Sequence, residues 1–154
     1  MKTKTVGLSA LLSVATALIC FAGNPTEGTW KLNESKSTFG DGTGRSTTVV
    51  WEKAGDEEKC TVDGTDAEGK KTHTVWIGKL DGKFYAVTGD PQADERSFRQ
   101  NGERKIDMVS KKDGKEVGNG TIVVAEDGKT RTVIINTTNA KGEKVTSTLA
   151  YDKS

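Results

Sequence analysis

A chain of 154 residues is long enough for one domain of ordinary size. Only 32% of it is apolar and 29% is charged, with a formal net charge of +1. Lysines and glutamates are interspersed, with no basic stripe of the kind that tracks phosphates, so nucleic acid is excluded as an expected partner.

The first segment reads as a targeting sequence. Lys2 and Lys4 precede an apolar run from Val6 to Phe21, and the small residues Ala22 and Gly23 follow. This is the pattern of a secretory signal peptide over residues 1–23, cleaved after Ala22 or Gly23 and bacterial in style. The run is too short, and too soon followed by polar residues, to be read as an integral membrane span. The expected product is exported, periplasmic or extracellular. Cleavage leaves residues 24–154 as a single domain and, by removing two lysines, turns the net charge of +1 into −1. Ala17-Leu18-Ile19-Cys20 resembles a bacterial lipid-attachment box. Ala17 and Ile19 stand where that box wants leucine and a small residue, so anchoring at Cys20 is the minor alternative. Loss of the leader leaves Cys60 alone, with no internal disulfide and no cysteine metal cluster.

The remainder is punctuated by turn dipeptides: Asp63-Gly64, Glu68-Gly69, Asp81-Gly82, Asn101-Gly102, Asp113-Gly114, Asp127-Gly128 and Lys141-Gly142. Between them lie short β-branched and aromatic runs, the signature of an antiparallel meander. Gly28–Asn33 is the first expected strand, and the glycine-rich stretch Glu34–Arg45 is a loop in which Phe39 tucks against the barrel end. Strands are then expected over Ser46–Lys53, Lys59–Asp63, Lys71–Leu80, Lys83–Thr88, Glu95–Gln100, Arg104–Lys111, Glu116–Ala125, Thr130–Thr137 and Lys144–Tyr151. Gly118 and Gly120 mark a bulge or bend. A long meander must hide its edges, and closure into an up-and-down barrel of eight to ten strands does so.

A faint repeat at an offset of 73 relates Thr65-Asp66-Ala67-Glu68-Gly69-Lys70-Lys71 to Thr138-Asn139-Ala140-Lys141-Gly142-Glu143-Lys144. It pairs two three-strand meanders, with convergent turn chemistry as the other reading. Alternation and the offset together place Trp76, Leu80, Leu149 and Tyr151 inward. The same logic groups Cys60 and Val62 with Val133 and Ile135, and Val49 and Trp51 with Ile122 and Val124. In the remaining strands the inward residues are Trp30 with Leu32, Tyr85 with Val87, Phe98 with Arg96, and Ile106 with Met108. Arg96 shares a face with Phe98, and Arg131 with Val133. So few apolar residues imply an interior that is partly polar.

Gly28-Thr29-Trp30-Lys31-Leu32 resembles the Gly-x-Trp opening strand of lipocalins and intracellular fatty-acid-binding proteins, together the calycins. The ending Leu149-Ala150-Tyr151-Asp152-Lys153 is similar to the last strand of the fatty-acid-binding group. The opening Gly-Thr-Trp-Lys-Leu-Asn, continued as Lys31 to Ser37, is also similar to that of uncharacterised exported bacterial proteins. The resemblance implies an all-β calycin-like barrel that binds a small apolar or amphipathic molecule non-covalently. It departs in two places: the Glu34–Arg45 loop has no helical lid pattern, and Leu149 stands where that group's Arg-x-Tyr carboxylate clamp has its arginine.

The candidate barrel lining is Trp30, Trp51, Trp76, Tyr85, Arg96, Phe98, Met108, Arg131 and Tyr151. A buried guanidinium requires a partner, from a protein carboxylate or from an anionic ligand head. His73, the single histidine, is expected on the outer face, and Asp56-Glu57-Glu58 as a solvated turn. The sequons at Asn33, Asn119 and Asn136 are taken as chance. No catalytic constellation, metal site or cofactor motif stands out, so an enzyme is not expected. The chain is expected to be a monomer, and the other function in view is an envelope protein-interaction or inhibitor-type module with a filled barrel.

Overall fold

The structure, a computed structural model, describes residues 23–154; the signal peptide and Cys20 lie outside the described residues. Ten antiparallel strands are present: β1 (Gly28–Leu32), β2 (Arg45–Ala54), β3 (Glu57–Thr65), β4 (Lys71–Gly78), β5 (Asp81–Thr88), β6 (Glu95–Gln100), β7 (Lys105–Lys112), β8 (Lys115–Val124), β9 (Thr130–Thr138) and β10 (Lys144–Lys153). Each pairs with the next, and β1 pairs with β10 through Trp30↔Lys153 and Leu32↔Tyr151. The meander is therefore a closed ring with no free edge. Its thinnest seam lies between β4 and β5, which pair only at Val75↔Thr88 and Trp76↔Val87.

The expected faces are the observed ones. Trp30, Val49, Trp51, Cys60, Trp76, Phe98, Ile122, Val133, Leu149 and Tyr151 form the buried core, with Phe39, Leu80, Tyr85 and Met108 partly buried against it. The bulge expected near Gly118 is present: the register shifts after Ser110, which faces Gly118, and Lys111 then faces Glu116. The loop after β1 holds a single 3-10 turn, Glu34–Lys36, and no lid helices. It runs instead along β10, where Thr38 and Thr148 exchange backbone hydrogen bonds and Gly40 N donates to Ser147 Oγ.

Two local expectations are corrected. Asp81-Gly82 is not the turn between β4 and β5. Lys79-Leu80 makes that turn, and Asp81-Gly82 forms a bulge inside β5, held by Lys83 N donating to Asp81 Oδ1 at 2.9 Å. Asp56-Glu57-Glu58 is not a solvated turn throughout, because Glu58 lies in β3 with only 5% of its surface exposed.

Candidate functional site

In an up-and-down barrel, alternate connections lie at the same end. The connections β1–β2, β3–β4, β5–β6 and β9–β10 rim one end, and a cavity of about 260 Å³ opens between them, bounded by Arg45, Asp66, Asp90, Gln92 and Asn139. The opposite end is closed. There Asn24–Thr26 folds across the barrel: Asn24 Oδ1 accepts from the Thr26 backbone (2.9 Å) and hydroxyl (2.7 Å). Trp30 Nε1 donates to the Thr26 carbonyl at 2.7 Å, so the fully buried indole and this segment together form the floor. Asn24 also donates to Glu58, whose other oxygen pairs with Lys53, which explains how that carboxylate is buried without being orphaned.

The nine candidate lining residues divide by position. Trp51, Arg96, Phe98, Met108, Arg131 and Tyr151 line the cavity. Trp30 lies beneath it. Trp76 stands behind, edge-on to Phe98 at 4.7 Å between ring centroids, with its Nε1 donating to the Arg96 carbonyl. Tyr85 belongs to the β4–β5 seam: its ring meets Trp76 edge-on and its hydroxyl donates to Asp81 at 3.0 Å. His73 is on the outer face as expected, with Nδ1 2.6 Å from Asp63 Oδ1. Among the described residues no three metal-ligating side chains gather, and no helix is long and apolar enough to cross a membrane.

The two inward arginines differ. Arg96, at the start of β6 and so near the mouth, donates from Nη2 to Asp90 at 2.8 Å and from Nε to Ser110 Oγ at 2.9 Å. Arg131, second in β9, sits at the closed end and is only 3% exposed. Its guanidinium lies over two rings, 4.7 Å from the Trp30 centroid and 4.8 Å from that of Tyr151. These cation–π contacts stabilise a desolvated charge in part. It has no ion pair, and its Nε and Nη1 have no hydrogen-bond partner among the described residues. Burial pushes its pKa down to about 10, leaving it charged at neutral pH. Trp51 Nε1, from a second cavity-lining residue, is also unpartnered among the described residues.

Cys60 and the Tyr151 hydroxyl complete this layer. Burial pushes each up to about 12, so both stay protonated at neutral pH. Tyr151 OH donates to the Ser46 carbonyl at 2.9 Å. The sequence reading missed three contributors: the Asn24–Thr26 floor, the Ser46 carbonyl and Asp90. Asn-x-Thr after the leader was a visible Asx-turn signal; the other two become partners only through contacts across the barrel.

No family model matches this chain, and no curated protein matches its sequence. Among solved structures, the zebrafish ileal bile acid-binding protein complexed with cholic acid is similar over 85% of this chain and 100% of its own, at 11% identity and a TM-score of 0.48. The strand pairing of this chain itself gives an up-and-down barrel: ten antiparallel strands in sequence order, closed first to last.

Proposed function

We propose that this is an exported binding protein that takes one small amphipathic molecule, non-covalently, into the barrel. The observation that carries the reading is Arg131, a buried cation on the cavity wall with no hydrogen-bond partner for its Nε and Nη1 among the described residues. Such a charge is costly unless something supplies the missing acceptors. The apolar body of a ligand would leave water among Val49, Phe98, Ile122, Val133 and Leu149, each Å² removed contributing about 25 cal/mol. Leu149 in the arginine's place removes the clamp of the fatty-acid-binding group, so the reading does not extend to a long-chain fatty acid held in that group's manner.

Mass spectrometry of the protein purified from its native envelope tests this, run under non-denaturing and then denaturing conditions. A defined extra mass that leaves on denaturation is the expected result. A bare polypeptide in both runs overturns the reading. The polypeptide mass also locates the cleavage point.

A further inference from the structure

Resting on that reading, we infer the chemical class of the ligand: a compact organic monoanion, whose acid group is received at the closed end of the cavity by Arg131, with Trp51 Nε1 as a second donor. Among the described residues, the buried side-chain atoms left unpartnered on cavity-lining residues are all donors, namely Nε and Nη1 of Arg131 and Nε1 of Trp51. The groups beside them offer no negative charge. Cys60 is a protonated thiol, and the Tyr151 hydroxyl is engaged with Ser46. An acceptor-only group matches a donor-only site. A neutral guest would leave the guanidinium as it stands, and a cation would be repelled by it. Arg96 does not compete for the acid, because Asp90 and Ser110 already hold it. The site is also built differently from a clamp on the last strand: its cation comes from β9, directly across the register from Tyr151.

Size narrows the class. The cavity of about 260 Å³ falls below the usual small-molecule range of about 300–1,000 Å³, yet exceeds the ~150 Å³ that admits benzene. An acid on a single ring or a short alkyl chain suits it. The acid enters first, since the open end lies at the opposite pole from Arg131.

Titration calorimetry near neutral pH with octanoate, octan-1-ol and octylammonium, on the intact protein, tests the inference. Octanoate is expected to bind about ten-fold or more tightly than octanol, as a hydrogen bond to a charged group requires, with octylammonium weakest. The Trp51 indole N–H resonance is expected to move with octanoate and not with octanol. Arg131→Met should erase the preference and Arg131→Lys should keep part of it, the lysine variant guarding against a methionine variant that does not fold. Equal affinity for octanoate and octanol overturns the inference while leaving barrel binding in place. A preference that survives in Arg131→Met overturns the role of Arg131. Failure of all three probes overturns the binding reading as well.

Discussion

Hairpins β3–β4 and β9–β10 correspond position by position at the offset of 73. Cys60 faces Trp76 as Val133 faces Leu149, and Glu58 faces Gly78 as Arg131 faces Tyr151. Even the turns agree: Asp66 Oδ1 accepts from the amides of Glu68 and Lys70, and Asn139 Oδ1 from those of Lys141 and Glu143. The correspondence stops at the preceding strand. Trp51 faces Cys60, whereas Val124, its counterpart, faces Arg131, a slide of two residues. Each hairpin thus buries one charge at the same position, but the outcomes differ. Glu58 is satisfied by Lys53 and Asn24, while among the described residues Arg131 has only ring faces. One buried charge is part of the scaffold, and its counterpart is left for something else to satisfy.

The largest break in the comparison is expected at Trp76, which fills the space its counterpart Leu149 fills with less volume. Trp76→Ala should cost about 3–5 kcal/mol in urea unfolding. Next come the charges, with opposite signs. Glu58→Met strands the Asn24 amide and should destabilise by about 1–3 kcal/mol. Arg131→Met removes an unpaired charge and should stabilise by about 1–4 kcal/mol, while abolishing acid binding. A loss of stability in Arg131→Met would mean that its ring contacts outweigh its burial.

Alkaline pH sharpens the same contrast. The folded state raises Cys60 from about 9 to about 12, so its contribution is intact below pH 9 and is lost as pH climbs through 12. Tyr151 adds to that loss between about 10 and 12. Arg131, whose pKa burial lowers to about 10, acts in the other direction, since its unfavourable burial eases as it loses its proton. Cys60→Val copies the residue of the other hairpin and should flatten the fall above pH 9 in melting temperature against pH. The smallest effects belong to the turns. Gly69 and Gly142 have φ of +83° and +81° with open space around them. Alanine at either should cost about 1 kcal/mol, and equally, which a paired thermal melt would check.

The fold was legible because its signals are local. Turn glycines and alternating faces marked out a barrel of eight to ten strands, and alternation with Val133 alone put Arg131 inside. Its lack of a partner was not legible. The same alternation put Arg96 inside, and whether an inward arginine is satisfied depends on what a distant loop brings. Asp90 arrives beside Arg96, and none of the described residues does the same for Arg131. Glu58 was misread for the same reason: three consecutive acids resemble a solvated turn until Asn24, 34 residues away, folds across the floor. The turn at Asp81-Gly82 slid because a dipeptide suited to a hairpin also suits a bulge, and only pairing with β6 decides between them.

Pairing of the first strand with the last has a kinetic consequence. A chain made from its N-terminus has β1 early but cannot satisfy that strand's outer row of amides and carbonyls until β10 exists. Folds dominated by such distant pairings form in milliseconds to seconds, because loop closure comes before the contacts that reward it. Throughout that interval the chain carries two bare strand edges able to template pairing with a neighbour. Adding Lys144–Lys153 therefore removes the molecule's two liabilities for self-association in one step.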